Sequence, residues 1–590
     1  MKWTHFCSAT AGPARAAGAR AVALSLALFI GIGAPPAGAQ IAVDGQRFIP
    51  VAAEKHMVVA QEGQAAAVGR DILRRGGNAV DAAVATAFAL AVTLPRAGNL
   101  GGGGFMIVHS ADTGETVAID SRETAPAAAD RDMFLGPDGE ADPDLSRRSG
   151  LAVGVPGSVA GLALAHERYG SGTLTFADLV APAVALARDG FEVTPDTAMA
   201  LAHPDTTVRL QTDPNMAAYY PGGAAPKGGD TLVLPALAQT LQAIADEGPS
   251  AFYEGPVAQG IVDAVTERGG RMTLEDLASY EAKVREPVRG TFKEWEVVSM
   301  PPPSSGGVHL IQMLNTLEHQ PFGTYGLNSA DMIHVMAEAA KYAYADRAVY
   351  LGDPDFVDVP VKALISKDYA ATLEAKIDMD RAVPSSEIAA DPGTLPYESN
   401  ETTHFSVLDG AGNAVSMTTT LNFSFGVGFG TAGGFLLNNE LDDFSAKPGA
   451  ANAYGLVGGE ANAVGPVKRP LSSMTPTILL KDGKVSLVTG SPGGSRIITT
   501  VLQVILNATV HERNIAGATN APRIHHQWQP DYIRIEEGIS FDTIRLLEEK
   551  GHDVRIQDAM GAAQSIQVGY DGTLYGATDP RRPGGAALGD

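Results

Sequence analysis

Two adjacent threonines, Thr402 and Thr403, stand where an acidic, Pro- and Ser-containing stretch gives way to a strand-like alternation. That stretch has its clearest part at residues 385–400 (SSEIAADPGTLPYESN) within a region of similar character from 378 to 400, and it reads as an exposed, mobile segment. A threonine at such a junction has a use that an internal one lacks. If the Glu401–Thr402 bond breaks, Thr402 carries a hydroxyl and a free α-amine on one residue. An N-terminal amine titrates near about 7.7–8.0, so it can draw the proton from its own hydroxyl close to neutral pH and create an oxygen nucleophile. Before the break, the same hydroxyl can attack the Glu401 carbonyl. An N-to-O acyl shift and hydrolysis of the ester would then free the amine with no external protease. Glu401, Thr402 and Thr403 are the candidate processing residues, and Thr402 is the candidate nucleophile.

The element that must position Thr402 is a hairpin. Residues 403–408 and 414–421 alternate as strands, and 409–413 (DGAGN) is a strong turn signal. A loop symmetric about Ala411 places Thr420 opposite Thr402, unless a bulge shifts the register. One face then carries Thr402, His404 and Ser406 beside Thr420, Thr418 and Ser416. The other carries Phe405 and Val407 beside Met417 and Val415. Taken alone, this pattern also fits an ordinary half-solvated sheet, where threonine is a good strand former.

Elsewhere short strands and amphipathic helices alternate, as in an α/β or α+β protein. Residues 64–75 read as a helix stopped by Gly76-Gly77, and Asn78 can cap a second, Ala-rich helix to about Val92 that is apolar enough to be buried. The glycine-rich run 98–104 leads into a strand at 105–109, which a hairpin returns as 116–120, with Arg122 just beyond. Residues 176–188, 234–247 and 332–350 have helical periodicity, and 301–307 (PPPSSGG) forms a loop before another helix. Residues 485–489 read as a strand, 491–494 as a turn and 495–508 as an apolar helix.

The ends and the composition set limits. Residues 1–39 combine Lys2, Arg15 and Arg20, an apolar run at 21–34 and the small-residue site Ala37-Gly38-Ala39, the pattern of a cleavable export signal. The run is too short to span a bilayer and Pro35-Pro36 follow it, so no membrane anchor is expected after its removal. Cys7, the single cysteine, lies inside this signal, which excludes disulfides, thiolate metal sites and a cysteine nucleophile from the mature chain. The formal net charge is −24, and the signal holds only basic charges, so the remainder is more acidic still. Such a surface repels nucleic acid and anionic membranes. The mature length exceeds one ordinary core and suggests two large structural units. His525 and His526 are adjacent and would point apart on a strand, and His309 and His404 lack partners at ligand spacing, so neither metal nor cofactor is expected.

Thr402-Thr403-His404-Phe405-Ser406 resembles the processing site of the γ-glutamyltranspeptidase family, within the N-terminal nucleophile hydrolases. Residues 98–105 (GNLGGGGF), 436–444 (LLNNELDDF), 469–474 (RPLSSM) and 489–496 (TGSPGGSR) resemble further motifs of that family, in its order, and the likeness spans about residues 50–585. It implies an α+β fold, a four-layer αββα sandwich built from a large subunit (40–401) and a small catalytic subunit (402–590) that stay associated. It implies transfer of a γ-glutamyl group from glutathione or related γ-glutamyl compounds to water or to amino acid and peptide acceptors, through a glutamyl ester on Thr402, in a bacterial periplasm or medium.

The donor is a zwitterion with an amide at its far end. The motif positions assign Arg122 with Ser472 and Ser473 to the α-carboxylate, since guanidinium matches carboxylate in two-pronged geometry. They assign Asp443, with Glu440 and Asn422, to the α-ammonium. Thr420 is to orient Thr402, and Thr403 to hold the conformation before cleavage. Gly493 and Gly494 sit at a helix entrance, where backbone N–H groups lack partners and can stabilise an oxyanion; an ordinary glycine turn has the same sequence. Residues 447–459 (KPGAANAYGLVGG) are either a lid with Tyr454 as its wall or a plain surface loop. Phe423, Phe425 and Phe429 have no assigned part. Two alternatives use the same residues: a β-lactam (cephalosporin-type) acylase on this scaffold, and a periplasmic amino-acid-binding protein that needs no chain break.

Overall fold

The computed structural model describes residues 48–388, 401–447 and 458–590. The export signal and Tyr454 lie outside these residues, as does most of the segment before Glu401.

Fourteen of the described strands form two seven-stranded sheets, beside small sheets of three and two strands. In chain order they are β1 (Val51–Ala53), β2 (Met57–Ala60), β3 (Gly103–His109), β4 (Thr116–Asp120), β5 (Lys283–Arg285), β6 (Val288–Phe292) and β7 (Trp295–Ser299). After residue 402 come β8 (Thr403–Leu408), β9 (Ala414–Thr420), β10 (Thr477–Lys481), β11 (Lys484–Thr489), β12 (Gln564–Val568), β13 (Leu574–Thr578) and β14 (Ala586–Gly589). One sheet has the order β1-β13-β12-β11-β10-β7-β6, the other β14-β2-β8-β9-β3-β4-β5. Each sheet thus mixes strands from both sides of position 402.

Helices α1 (Gly63–Arg74), α2 (Ala79–Thr93), α3 (Ser158–Tyr169), α4 (Phe176–Asp189) and α5 (Pro235–Glu247) cover the outer face of the β8–β9 sheet. Helices α6 (Gly306–Leu317), α7 (Ala330–Tyr350) and α8 (Arg496–Thr509) cover the other sheet. The result is a four-layer helix–sheet–sheet–helix sandwich with two large apolar clusters. Both clusters draw residues from before and after position 402. The Ala-rich α2 is buried along its whole length, and Asn78 caps it through a capping box with Asp81, as its composition and first residue predict. No described helix is long and apolar enough to cross a membrane.

The hairpin has the predicted register: Thr403 pairs with Thr419 and His404 with Thr418. Asp409 fixes the turn by accepting the backbone N–H groups of Ala411 at 2.9 Å and Asn413 at 3.0 Å. The apolar face, with Phe405, Val407, Val415 and Met417, packs under the outer helices. The hydroxyl face is not half-solvated. It meets the second sheet, where Ser406 Oγ donates to Gln564 O at 2.8 Å and Ser416 Oγ to Thr489 O at 2.9 Å, while Thr477 N–H donates back to Ser416 Oγ at 3.0 Å. The strand closes at Thr420, one residue short of the expected 421, because Leu421 leads into Asn422 with φ +74°. The segment expected to be exposed from 378 onward is in fact anchored to 385: Ser385 is buried, its N–H donates to Asp531 Oδ2 at 2.8 Å and its hydroxyl to Trp528 O at 2.6 Å. Small polar residues read as solvent-seeking there, yet these serve as hydrogen-bond partners for a distant loop.

Candidate active site

Thr402 stands immediately before β8, 4% exposed, in a chain continuous with Glu401. Its Oγ1 lies 2.5 Å from Glu401 O and 3.3 Å from Thr420 Oγ1. Thr420 Oγ1 is in turn 3.4 Å from Glu401 O and accepts the Asn422 N–H at 2.8 Å. That N–H holds the Thr420 oxygen in place and leaves its proton for Glu401 O or Thr402. The Glu401 carbonyl is therefore flanked by two hydroxyls. Thr403 points elsewhere, with Oγ1 3.2 Å from Gln61 Oε1.

Glu401 is held by residues that the sequence did not flag. Arg96 Nη1 is 3.4 Å from both carboxylate oxygens and Arg582 Nη2 is 3.5 Å from one. Burial works to raise the Glu401 pKa, but the two guanidinium groups prevail and hold it below the usual glutamate value. Arg582 Nη1 also donates to Thr402 O at 2.9 Å, so one side chain holds both sides of the Glu401–Thr402 bond.

Thr402 and Thr420 open onto a cavity of about 310 Å³ that Arg122, Asn422, Glu440, Asp443, Ser472 and Ser473 also line. Chain segments far apart in sequence thus bring the candidate nucleophile and the candidate clamp residues together. Arg122, fully buried just past β4, is already engaged: Nη1 pairs with Glu440, Nη2 with Asp443 Oδ2 at 2.6 Å, and Nε donates to Pro470 O at 3.1 Å. Glu123 lies 3.8 Å from the same guanidinium. Burial pushes the carboxyl groups of Glu440, Asp443 and Glu123 upward against the pull of Arg122. Burial lowers the Arg122 pKa, and the surrounding acids more than reverse this. Asn422 Nδ2 donates to Asn439 O at 2.9 Å. Ser472 Oγ accepts the Met474 N–H at 3.1 Å.

Sequence reasoning missed Arg347, which lines the cavity from α7. Its Nε donates to Ser305 Oγ at 3.0 Å and its Nη2 lies 3.4 Å from Ser473 Oγ. Burial pulls it down to about 10, with Asp443 opposing. A second guanidinium thus stands beside the serines assigned to the α-carboxylate. No local signal set it apart, because the same helix also carries Glu338, Lys341 and Asp346.

Gly494 lines the cavity and Gly493 precedes it, with φ +58° and +132°. These angles explain glycine at both positions. Helix α8 starts at Arg496, so the pair sits at its entrance as expected. Phe425 and Phe429 are buried structural residues, the latter under Arg268. Phe423 instead lines a second cavity on the Glu401 side.

Among the described residues, His334, Glu338 and His552 bring metal-type ligand atoms within 4.8 Å of one another. The imidazoles hydrogen-bond each other at 2.8 Å and Glu338 pairs with Lys341 at 2.8 Å, so these donors are spent within the protein. His525 and His526 diverge, to Thr499 Oγ1 and Asp531 respectively.

The family profile described as gamma-glutamyltranspeptidase matches residues 65–589. The glutathione hydrolase proenzyme of Escherichia coli (strain K12) is 55% identical over 565 residues, covering 95% of this chain and 96% of the relative. Among solved structures, a cephalosporin acylase from Bacillus halodurans superposes with a TM-score of 0.80 at 27% identity, over 92% of this chain and 97% of that one. A γ-glutamyltranspeptidase from Helicobacter pylori gives a TM-score of 0.54 at 43% identity, over 57% of this chain and 96% of that one. With the profile matched nearly end to end, and a relative this similar over its full length, the chain belongs to the γ-glutamyltranspeptidase family.

Proposed function

We propose that this chain is the precursor of an exported γ-glutamyltransferase and glutathione hydrolase that divides itself at Glu401–Thr402 into segments 40–401 and 402–590. The observation that carries the reading is the position of Thr402 Oγ1, 2.5 Å from the scissile carbonyl oxygen and open to the Arg122–Glu440–Asp443 cavity. In the precursor, Thr402 Oγ1 attacks the Glu401 carbonyl carbon while Thr420 orients it. Nitrogen departs to form the ester, and water hydrolyses it, leaving a free α-amine on Thr402. That amine then takes the Oγ1 proton when a γ-glutamyl amide is bound. Oγ1 attacks the γ-carbonyl, the backbone N–H groups at Gly493 and Gly494 stabilise the oxyanion, and the same proton passes to the leaving amine. Water or an acceptor amine repeats these steps in reverse on the ester.

The clamp favours a glutamyl donor over the plain glutaryl chain of an acylase substrate. Glu440 and Asp443 line the cavity with carboxylate oxygens that an α-ammonium can engage and a glutaryl group, which has none, cannot. The α-carboxylate falls to Arg122, Ser472 and Ser473, with Arg347 beside them. Wild-type protein on a denaturing gel should resolve into two unequal fragments, the smaller beginning at Thr402, while Thr402→Ala should remain one inactive chain. Turnover of γ-glutamyl-p-nitroanilide is expected to exceed that of a glutaryl-cephalosporin. A continuous, fully active wild-type chain would overturn the mechanism, and the opposite substrate order would establish the acylase.

A further inference from the structure

The loop 301–305, which leads into α6, is tied to the serines that line the cavity. Ser304 Oγ donates to Met474 O at 2.7 Å, and Ser305 donates to Ser472 O through both its N–H and its Oγ, each at 2.8 Å. Its proton committed, the Ser305 hydroxyl accepts from Arg347 Nε and so aims that guanidinium along the cavity wall, where Nη2 ends beside Ser473 Oγ. Arg347 is 4% exposed, and among the described residues no acid forms an ion pair with it; its hydrogen-bond partners are two neutral hydroxyls. A buried arginine is ordinarily paired with an acid. Arg122 on the same cavity follows that rule, with Glu440, Asp443 and Pro470 O on its three nitrogens. Burial pulls Arg347 down only to about 10, so it stays charged at neutral pH, and Asp443, the acid that opposes this shift, is already bound to Arg122. Ser472 Oγ accepts the Met474 N–H and Ser473 Oγ accepts from Arg347, which leaves both serine protons to be donated. One unpaired guanidinium and two such hydroxyls on one wall make a seat for a carboxylate.

We propose that Arg347 is a specificity-determining residue for the donor: its guanidinium, and not Arg122 alone, receives the α-carboxylate, together with Ser472 and Ser473. It carries the larger share of that contact, because Arg122 is held by Glu440 and Asp443 and serves to fix those acids for the α-ammonium. The inference rests on the transferase reading given above and extends it to a residue outside the motifs that assigned the clamp. Arg347 takes no part in proton transfer at Thr402; it selects donors that carry a carboxylate beside the amine. The loop 301–305 acts through Arg347, by holding its Nε at Ser305.

Two donors separate this role from mere support of the loop: γ-glutamyl-p-nitroanilide, and 4-aminobutyryl-p-nitroanilide, which keeps the amine and the amide to be cleaved but lacks the α-carboxylate. In processed wild-type enzyme kcat/KM is expected to favour the glutamyl donor by about a hundredfold, the effect of charge-assisted hydrogen bonds to one carboxylate. In Arg347→Gln, measured on its matured fraction, this preference should shrink by about tenfold through a higher KM for the glutamyl donor, while kcat/KM for the aminobutyryl donor stays within about threefold of wild type. Arg347→Lys should recover part of the preference. Ser305→Ala, which keeps the guanidinium and removes its anchor, should raise KM for the glutamyl donor alone, and it replaces Arg347→Gln should that variant fail to mature. Equal kcat/KM for the two donors in wild type, or a variant that loses activity equally on both, or one that keeps the full preference, overturns the proposal. Failure of processed wild type to release p-nitroaniline from the glutamyl donor would defeat the transferase reading itself, whereas release with a preference indifferent to Arg347 defeats this inference alone.

Discussion

At the scale of single residues, Thr420 makes the clearest demand. Its hydroxyl touches both the proposed nucleophile Thr402 and the Glu401 carbonyl, and the Asn422 N–H at 2.8 Å fixes its oxygen. Thr420→Val keeps the shape and removes the hydroxyl. It is expected to lower both the processing rate and kcat by about tenfold to a hundredfold, the usual cost of losing a positioning contact, with a much smaller change in donor KM. Thr420→Ser restores most of the loss; a valine variant with wild-type kcat would remove Thr420 from the site. This pair was legible in the sequence because the register of a hairpin is set locally, by the length of the 409–413 turn. Arg96, Arg347 and Arg582 were not, because an arginine beyond a helix, inside one or near a chain end reads as surface. Their burial is created by partners distant in sequence, such as Ser473 for Arg347 and Glu401 for Arg96.

At the scale of elements, β8 and β9 are knitted to the second sheet by hydroxyl groups. Ser416 both donates to Thr489 O and accepts from Thr477 N–H. Ser416→Val leaves two buried backbone groups without partners, at about 1–3 kcal/mol each. A fall in unfolding free energy of about 2–4 kcal/mol in urea titration is the expected outcome, and a loss under 1 kcal/mol would mean that the sheets are held by packing alone. Alternation in the sequence separated the two faces of this hairpin, but it gave no sign that the polar one would meet another sheet. Hydroxyl-rich faces usually meet water, and only the facing backbone of β10 and β11 reveals otherwise. Helix α2, by contrast, was readable entirely from its Asn78 cap and its unbroken apolar content.

For the whole molecule, the buried histidines set the response to acid. Burial lowers His309 and His404 to about 3, His526 to about 4 and His552 to about 2, and moves His525 well below its ordinary value. Between these values and about 6.5 the unfolded chain binds protons that the native one refuses, so stability is complete above about 6.5 and declines as pH falls through that window. Each such histidine contributes up to about 1.4 kcal/mol per pH unit. The melting temperature should therefore drop steeply between about pH 6.5 and 4, and a flat profile would place these imidazoles in water. The sandwich architecture itself was legible through the family resemblance and not through residue patterns, since strand order depends on pairings that no local period encodes. That order also decides what a cut at 402 leaves behind. Strand β2 is clasped between β14 and β8, and β13 lies between β1 and β12, so neither segment owns a complete sheet. The two products are a nicked single fold, not a complex of independently folded partners. Isotope-labelled and unlabelled mature protein, mixed and incubated below the melting point, should yield no hybrids by mass spectrometry, and separation of the pieces should coincide with global denaturation.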